Sequence, residues 1–331
     1  LKNGMISVVI HEVGHNFFPM IVNSDERQWT WMDEGMNTFL EHLAELDWDK
    51  DFPVRFGPAK SVTRYMSGPQ NRLEPIMTNS EAITQFGLQA YGKPAAGFNI
   101  LREVIMGREA FDHALKVYAN RWKFTHPTPE DFFRTMEDAS AVDLDWFWRG
   151  WFYTTDNVDV DVAEVKWFKL NTQTVQVENK GKKVKAGDLS ASAKKEGPAT
   201  DFSNGPTPFT LVDTPDRFYG EFTSRVDYNA IRAKLENKNI YEITFKNLGG
   251  LVTPLVIEWT FKDGSKEIDR IPAEIWRSNE NQVTKVFVKD KEVTNIQLDP
   301  NFELADVNTD NNVFPKKETV SEFDKFKKGD K

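Results

Sequence analysis

The 331-residue sequence contains no cysteine. Disulfides and thiolate ligands are therefore excluded, and any bound metal has to be held by His, Asp or Glu. The sequence also lacks an apolar run approaching the roughly 20 residues that span a bilayer. It has no excess of basic residues, because its formal net charge is −9, and a nucleic-acid partner is not expected. What remains is a globular chain with 39% hydrophobic residues, enough to build a substantial core.

The first half of the chain, from residue 5 to about residue 153, is predicted to be helical. Apolar residues recur at three-to-four spacing in MNTFLEHLAEL, AAGFNILREVI and AFDHALKVYANRW, which is the period of an amphipathic helix. Thr128, Pro129 and Asp131 form a start signal for a further helix, PEDFFRTMEDA.

The pattern changes after Asp156. Short alternating strands are predicted from about residue 240, with Asp263 and Gly264 in a hairpin turn. The sequence therefore predicts an α+β fold. Its expected parts are a helical catalytic lobe over residues 1–155, a connecting segment with a low-complexity loop over 156–238, an antiparallel β-sandwich-like domain over 239–314 and a charged tail over 315–331.

The segment VVIHEVGHNFF carries the first sign of chemistry. In a helix, His11 and His15 lie one turn apart on the same face, so both imidazoles can reach one metal ion. Glu12, one position round from His11, is poorly placed as a ligand of that ion but can reach a water beside it. The short pattern alone leaves an ordinary amphipathic helix open as the alternative.

A third ligand is supplied by WTWMDEGMNTFLEHL. Glu34 follows His15 after 18 intervening residues, which lets the chain finish one helix and enter a second one packed against it. HEVGH, 18 residues and then EG together resemble the gluzincins, and within them the aminopeptidase N and leukotriene hydrolase family of zinc peptidases. The neighbouring Asp33 is interpreted as a negative charge at a helix start.

The resemblance covers residues 1 to about 153 and implies a thermolysin-like zinc catalytic lobe. It implies that His11, His15 and Glu34 bind zinc, while Glu12 acts as the general base and then as the proton shuttle. Peptides are the implied substrates.

The resemblance also nominates three supporting residues. AYGKPAAGFNILREVI resembles the segment that carries the family's oxyanion-stabilising tyrosine, which nominates Tyr91. Glu41, on the same helical face as Glu34, is a candidate acceptor for the N–H of a ligand imidazole, with a solvated charge as the alternative. Thr38, one turn from Glu34, is a candidate for the same supporting role.

The sequence departs from the family pattern in two places. Asn16, Phe17, Phe18 and Pro19 stand where family members often have Gln, Trp, Phe and Gly, which indicates an altered subsite. The family's Gly-any-Met-Glu-Asn strand, whose glutamate holds the substrate amino group, does not occur. Because the candidate site begins eleven residues into the sequence, we expect a fragment whose cleft is completed by an N-terminal portion of the same protein.

The leading prediction is a zinc-dependent aminopeptidase, poorly active as the isolated chain. One alternative is a gluzincin endopeptidase or epoxide hydrolase. Another is an inactive fragment that keeps a structural zinc and uses the β-sandwich as an interaction module, although the intact Glu12 argues against it. The sequence does not identify a compartment, and a periplasmic or secreted setting is favoured only by analogy.

Overall fold

The first half of the chain is helical in the computed structural model, which describes residues 2–169, 234 and 238–316. Its α-helices are α1 (Lys2–Gly14), α2 (Met36–Trp48), α3 (Thr63–Met66), α4 (Lys93–Ile100), α5 (Arg108–Trp122), α6 (Pro129–Ser140) and α7 (Asp145–Tyr153). Every helix in the described part of the chain falls short of the length and apolar character needed to cross a membrane.

Helix α6 begins as the sequence predicts. The Thr128 side chain accepts a hydrogen bond from the Asp131 N–H, and the Asp131 carboxylate accepts one from the Thr128 N–H. This reciprocal pair satisfies backbone donors that a helix start would otherwise leave free. Pro129, at the first helical position, has no N–H to satisfy.

An aromatic core lies under the helices and anchors the segment that carries Glu34. Trp31, three residues before Glu34, is fully buried and stacks on Phe133 with ring centroids 5.8 Å apart. Trp31 also meets Phe152 edge-on at 4.9 Å and Phe98 at 6.2 Å. Buried aromatic pairs of this kind contribute more to folding stability than their buried area alone accounts for. The packing of Trp31 in the core therefore fixes the position of the segment that carries Glu34.

The second half of the described chain forms two antiparallel sheets. Their strands are β1 (Val160–Lys169), β2 (Asn239–Asn247), β3 (Leu255–Phe261), β4 (Lys266–Ile271), β5 (Gln282–Lys289), β6 (Val293–Leu298) and β7 (Val313–Phe314). One sheet has the order β1-β2-β5 and the other β4-β3-β6-β7. Tyr241 and Phe287 of the first sheet pack on Trp259 of the second, so the sheets face each other across a common core.

The α+β fold class predicted from the sequence is confirmed, and so is the turn between β3 and β4. Gly264 there has a φ of +80°, a conformation that glycine adopts without strain, and its N–H donates to the Phe261 carbonyl.

One strand precedes residue 239, where the sandwich-like domain is predicted to begin. Strand β1 lies inside the predicted connecting segment and pairs with β2 from Val160↔Asn247 to Lys169↔Asn239. Alternating buried valines within β1 give it an inward face like that of the later strands. The rest of the predicted connecting segment, including its low-complexity loop, and most of the predicted tail lie outside the described residues.

Candidate metal centre

Three predicted ligands converge at one point. The Nε2 atoms of His11 and His15 lie 3.0 Å and 3.4 Å from the same oxygen, Oε2 of Glu34. Tetrahedral zinc with bonds of about 2.0–2.1 Å separates its ligand atoms by roughly 3.3 Å. Within the described residues this trio is the group of His, Asp or Glu side chains close enough to share a metal ion. The donor set and its spacing therefore fit zinc.

The outer nitrogens of both imidazoles are held by acceptors. His11 Nδ1 lies 2.9 Å from Oε2 of Glu41, and His15 Nδ1 lies 2.9 Å from the carbonyl oxygen of Phe18. With Nδ1–H donating outward on each ring, Nε2 is the nitrogen that faces Glu34, and it offers its lone pair to a metal ion once it is deprotonated. Glu41, the acceptor nominated from the sequence, therefore lies within hydrogen-bond distance of a candidate ligand imidazole.

Thr38 does not occupy such a position. Its hydroxyl is buried and has no hydrogen-bond partner among the residues that the structure describes. The structure therefore gives no contact through which Thr38 would orient a ligand imidazole.

Asp33 lies closer to the centre than its sequence interpretation implies. It is 7% exposed, and its Oδ1 lies 3.0 Å from His15 Nδ1. Burial, followed by the charges of Glu34 and Glu26, raises the pKa of Asp33 to about 8. The sequence signals this contact between Asp33 and His15 only by placing Asp33 directly before the candidate ligand Glu34.

The carboxylates around His11 favour positive charge at the centre. Burial alone would lower the pKa of His11, but hydrogen bonds to Glu34 and Glu41 outweigh it and raise this pKa to about 10. Burial would likewise raise the pKa of Glu34, yet contacts with His11, Tyr91 and His15 lower it. The environment is therefore suited to a cation, which supports the fit to a divalent metal.

Tyr91 lies beside the ligands. Its ring stacks on the imidazole of His11, with centroids 5.8 Å apart and planes 19° apart. Burial, together with a hydrogen bond to Glu34 and the charges of Asp33 and Glu12, raises the pKa of Tyr91 above its usual value. The phenol is consequently protonated at neutral pH and able to donate a hydrogen bond.

Glu12 lies on the exposed side of α1 and leaves its carboxylate accessible. No residue of α1 is fully buried, and the apolar side chains of Met5, Val8, Val9 and Val13 are more than half exposed. The charge of Glu12 contributes to raising the pKa of Tyr91, so the Glu12 carboxylate and the Tyr91 phenol lie near each other.

Two π-helical turns carry site residues. Trp31–Gly35 contains Glu34, and Gly87–Gly92 contains Tyr91. Such turns are rare and concentrate at functional sites, because the wider turn redirects side chains and backbone groups. The segment after His15 is kinked instead, since the backbone of Phe18 is non-helical, and the Phe18 carbonyl lies against His15.

The remaining histidines lie outside the centre. His42 is buried in α2, while His113 and His126 are exposed. None of them belongs to the group that could share a metal ion within the described residues.

Comparison with known proteins finds a similar family for the helical half of the chain. Residues 2–151 match the Peptidase family M1 domain. The resemblance to this peptidase family predicted from the sequence is confirmed by the match over the helical half of the chain. The family is one of hydrolytic enzymes.

Two curated relatives show the extent of the similarity. The chain is 29% identical over 188 residues to Probable aminopeptidase 2 of Sulfurisphaera tokodaii, a match covering 54% of this chain and 24% of that protein. It is 30% identical over 141 residues to glutamyl aminopeptidase of Rattus norvegicus, covering 40% of this chain and 15% of that protein. The chain thus spans a quarter or less of the length of these two relatives.

The fold has a counterpart among solved structures. The crystal structure of Legionella pneumophila aminopeptidase A in complex with aspartic acid aligns with 91% of this chain and 26% of that chain, with a TM-score of 0.50 and 13% sequence identity. At this identity the likeness concerns the fold alone. It covers the β-rich half as well as the helical half.

Proposed function

We propose that this chain forms the metal-binding part of a zinc-dependent aminopeptidase. The observation that carries the proposal is the convergence of His11 Nε2 and His15 Nε2 on one carboxylate oxygen of Glu34. Two imidazoles and one carboxylate are a ligand set of catalytic zinc sites, which keep a fourth position open.

Each side chain has a defined task in peptide hydrolysis. A zinc ion held by the three ligands supplies Lewis acidity and a nucleophilic water at neutral pH. The accessible carboxylate of Glu12 accepts the proton of the attacking water and returns it to the leaving amine. The protonated Tyr91 hydroxyl donates to the carbonyl oxygen as that oxygen gains charge.

The positions of the imidazoles are held by their neighbours in this proposal. Glu41 and the Phe18 carbonyl accept from both Nδ1–H groups, so the Nε2 atoms of His11 and His15 face inward and would offer their lone pairs to the zinc ion on losing their protons. Pre-oriented ligands lose little entropy on binding the metal, which favours a tight site.

The similarity to relatives that are named aminopeptidases favours aminopeptidase activity over internal cleavage. The test compares hydrolysis of aminoacyl-fluorophore reporters with that of internally quenched peptides blocked at the amino end. Zinc-reconstituted chain is assayed beside Glu12→Gln, which keeps the size of the side chain and removes the base.

The proposal expects release from aminoacyl reporters that disappears with a zinc chelator and falls about 10²–10⁴-fold in Glu12→Gln. Cleavage of blocked peptides only would establish an endopeptidase instead. Equal activity of Glu12→Gln and the unaltered chain would contradict the assigned mechanism.

A further inference from the structure

Helices α1 and α2 run antiparallel and are joined by polar contacts. Ser7 hydrogen-bonds to Glu45, His11 Nδ1 lies 2.9 Å from Glu41, and Asn37 Nδ2 donates to the backbone carbonyl of His11 at 2.7 Å. The contacting residue numbers increase along α1 while they decrease along α2, so the two helices run antiparallel. The zinc ligands lie at one end of this helix pair.

Asn37 makes its contact at the turn that separates the two ligand histidines. The His11 carbonyl that accepts from Asn37 also accepts the helical hydrogen bond of the His15 N–H, at 3.2 Å. Asn37 itself lies three residues after Glu34 and is 1% exposed. One side chain therefore links the backbone between both imidazoles to the segment that carries the third ligand.

The contact depends on a glycine. A Cβ atom at Gly14 would lie 2.0 Å from Asn37 Oδ1, far inside van der Waals contact. Any larger residue at position 14 would push the Asn37 amide away from α1. Gly14 and Asn37 are thus one unit, in which the absence of a side chain on α1 admits a polar side chain from α2.

The fold alone gives little reason for an amide at this position. Asn37 Oδ1 is buried without a hydrogen-bond partner among the described residues, which is unfavourable for stability. The His11 carbonyl would keep its helical partner if Asn37 were replaced. An apolar side chain of similar size would therefore pack equally well. It would lack the hydrogen bond that Asn37 donates to the His11 carbonyl.

We propose that Asn37 is a positioning residue for the metal centre, and that together with Gly14 it sets the separation between the histidines of α1 and Glu34. The inference rests on the proposed function, because it concerns the ligands of the proposed zinc ion.

The test measures zinc affinity of the full chain by competition with a chromophoric chelator, and stability of the metal-free chain by urea unfolding. Asn37→Leu keeps the volume and removes the amide. We expect zinc binding to weaken about 10–100-fold, as when a partner of a metal ligand is lost. The urea midpoint of the metal-free chain should stay unchanged or rise.

A matched control is Asn239→Leu in β2. Asn239 is also buried, at 4% exposed, and its side chain bonds to Trp167 and to the Asp290 carbonyl. It lies in the sandwich, so its replacement should lower stability and leave zinc affinity unchanged. A fall in zinc affinity for this variant equal to that of Asn37→Leu would overturn the positioning role.

A double-mutant cycle tests the dependence on Gly14. Gly14→Ala alone forces the Asn37 amide aside and should weaken zinc binding. In the combination Gly14→Ala with Asn37→Ala, the added methyl enters space that the amide has left. The double variant should therefore bind zinc about as well as Asn37→Ala alone, a clear departure from additivity.

The outcomes separate the two proposals. Failure of the unaltered chain to bind zinc contradicts the proposed function. The positioning role is overturned if the unaltered chain binds zinc and the Asn37→Leu and Asn37→Ala variants bind it as tightly as the unaltered chain does. That outcome leaves the proposed function intact. Additive losses in the cycle overturn the coupling between Gly14 and Asn37.

Discussion

At the scale of single residues, the proposed function assigns Tyr91 to the charge that forms on the substrate carbonyl during the reaction. Its phenol lies beside His11 and Glu34 and is held in the protonated form. Removing the hydroxyl in Tyr91→Phe takes away a donor that matters mainly in the transition state. We expect kcat to fall about 10²–10³-fold with little change in KM.

Steady-state kinetics on a peptide reporter and urea unfolding check this prediction together. A loss of stability without a loss of kcat would assign the Tyr91 hydroxyl a structural role. Tyr118→Phe is the matched control, because Tyr118 is buried in the helical core and packs on Phe132 and Phe18.

Lys93, two residues beyond Tyr91, gives a prediction about pH. It is 2% exposed, and its Nζ donates to the Thr154 carbonyl at 3.2 Å. Burial lowers its pKa to about 8, against a weaker opposing effect of Asp156. Because the unfolded chain keeps a lysine pKa near 10.4, it binds more protons than the folded chain between these values.

The free energy of unfolding should therefore rise as the pH rises from about 8 to about 10, and this gain is lost as the pH falls through the folded-state pKa. Its size is at most about 3 kcal/mol, from 1.36 kcal/mol per pKa unit. Lys93→Met keeps the apolar stem and should lack the gain. Urea unfolding of both metal-free proteins at pH 7 and pH 9.5 measures it, and an identical change in both would refute the account.

The sequence nominates candidate ligands more readily than the residues that surround them. His11, Glu12 and His15 are nominated by their spacing on one helix, and Glu34 by the family resemblance that its spacing from His15 carries. The distance between Asp33 and His15 depends on how the Glu34 turn and the kinked segment after His15 meet in space, and no periodicity in the sequence encodes that meeting.

At the scale of elements, glycine contacts set how closely the segments of the site approach. A Cβ at Gly35 would lie 2.8 Å from the Ala90 carbonyl oxygen and 2.4 Å from Pro94 Cγ. Gly35→Ala should separate the Glu34 turn from the Tyr91 turn. We expect a loss of about 1–3 kcal/mol in stability, as for other overpacked sites, together with a lower kcat.

Gly87→Ala is the control for that change. It lies in the same π-helical turn as Tyr91, and a Cβ there would meet nothing within 4 Å. Because alanine has a higher helix propensity than glycine, the Gly87→Ala variant should be as stable as the unaltered chain or more stable. Urea unfolding that ranked Gly87→Ala as equal to Gly35→Ala would contradict this account of the close approach.

Elements with strong local signals are also those that the sequence predicts. The start of α6 follows from a capping pair within four residues, and the β3–β4 turn from Asp263 and Gly264. Strand β1 falls in the predicted connecting segment, and its pairing partner β2 begins about 70 residues later in the sequence. Pairing between strands so far apart is not signalled by the residues next to either strand.

At the scale of the whole molecule, a helical half that is similar to the Peptidase family M1 domain and a β-sandwich share one chain. The exposed apolar side chains of α1, such as Met5, Val8 and Val9, lie on the helix that bears the histidines. The expectation that an N-terminal portion of the same protein completes the cleft stays a prediction. Activity of the whole protein is therefore a separate question from metal binding by this chain.

The central claim is that His11, His15 and Glu34 form one zinc site while Glu12 stays outside it. Calorimetric titration of the metal-free chain with zinc tests this most directly. The account predicts about one zinc per chain, unchanged binding in Glu12→Gln, and loss of binding in His15→Ala and Glu34→Ala. Undiminished zinc affinity in Glu34→Ala, or loss of the ion in Glu12→Gln, would contradict the ligand set.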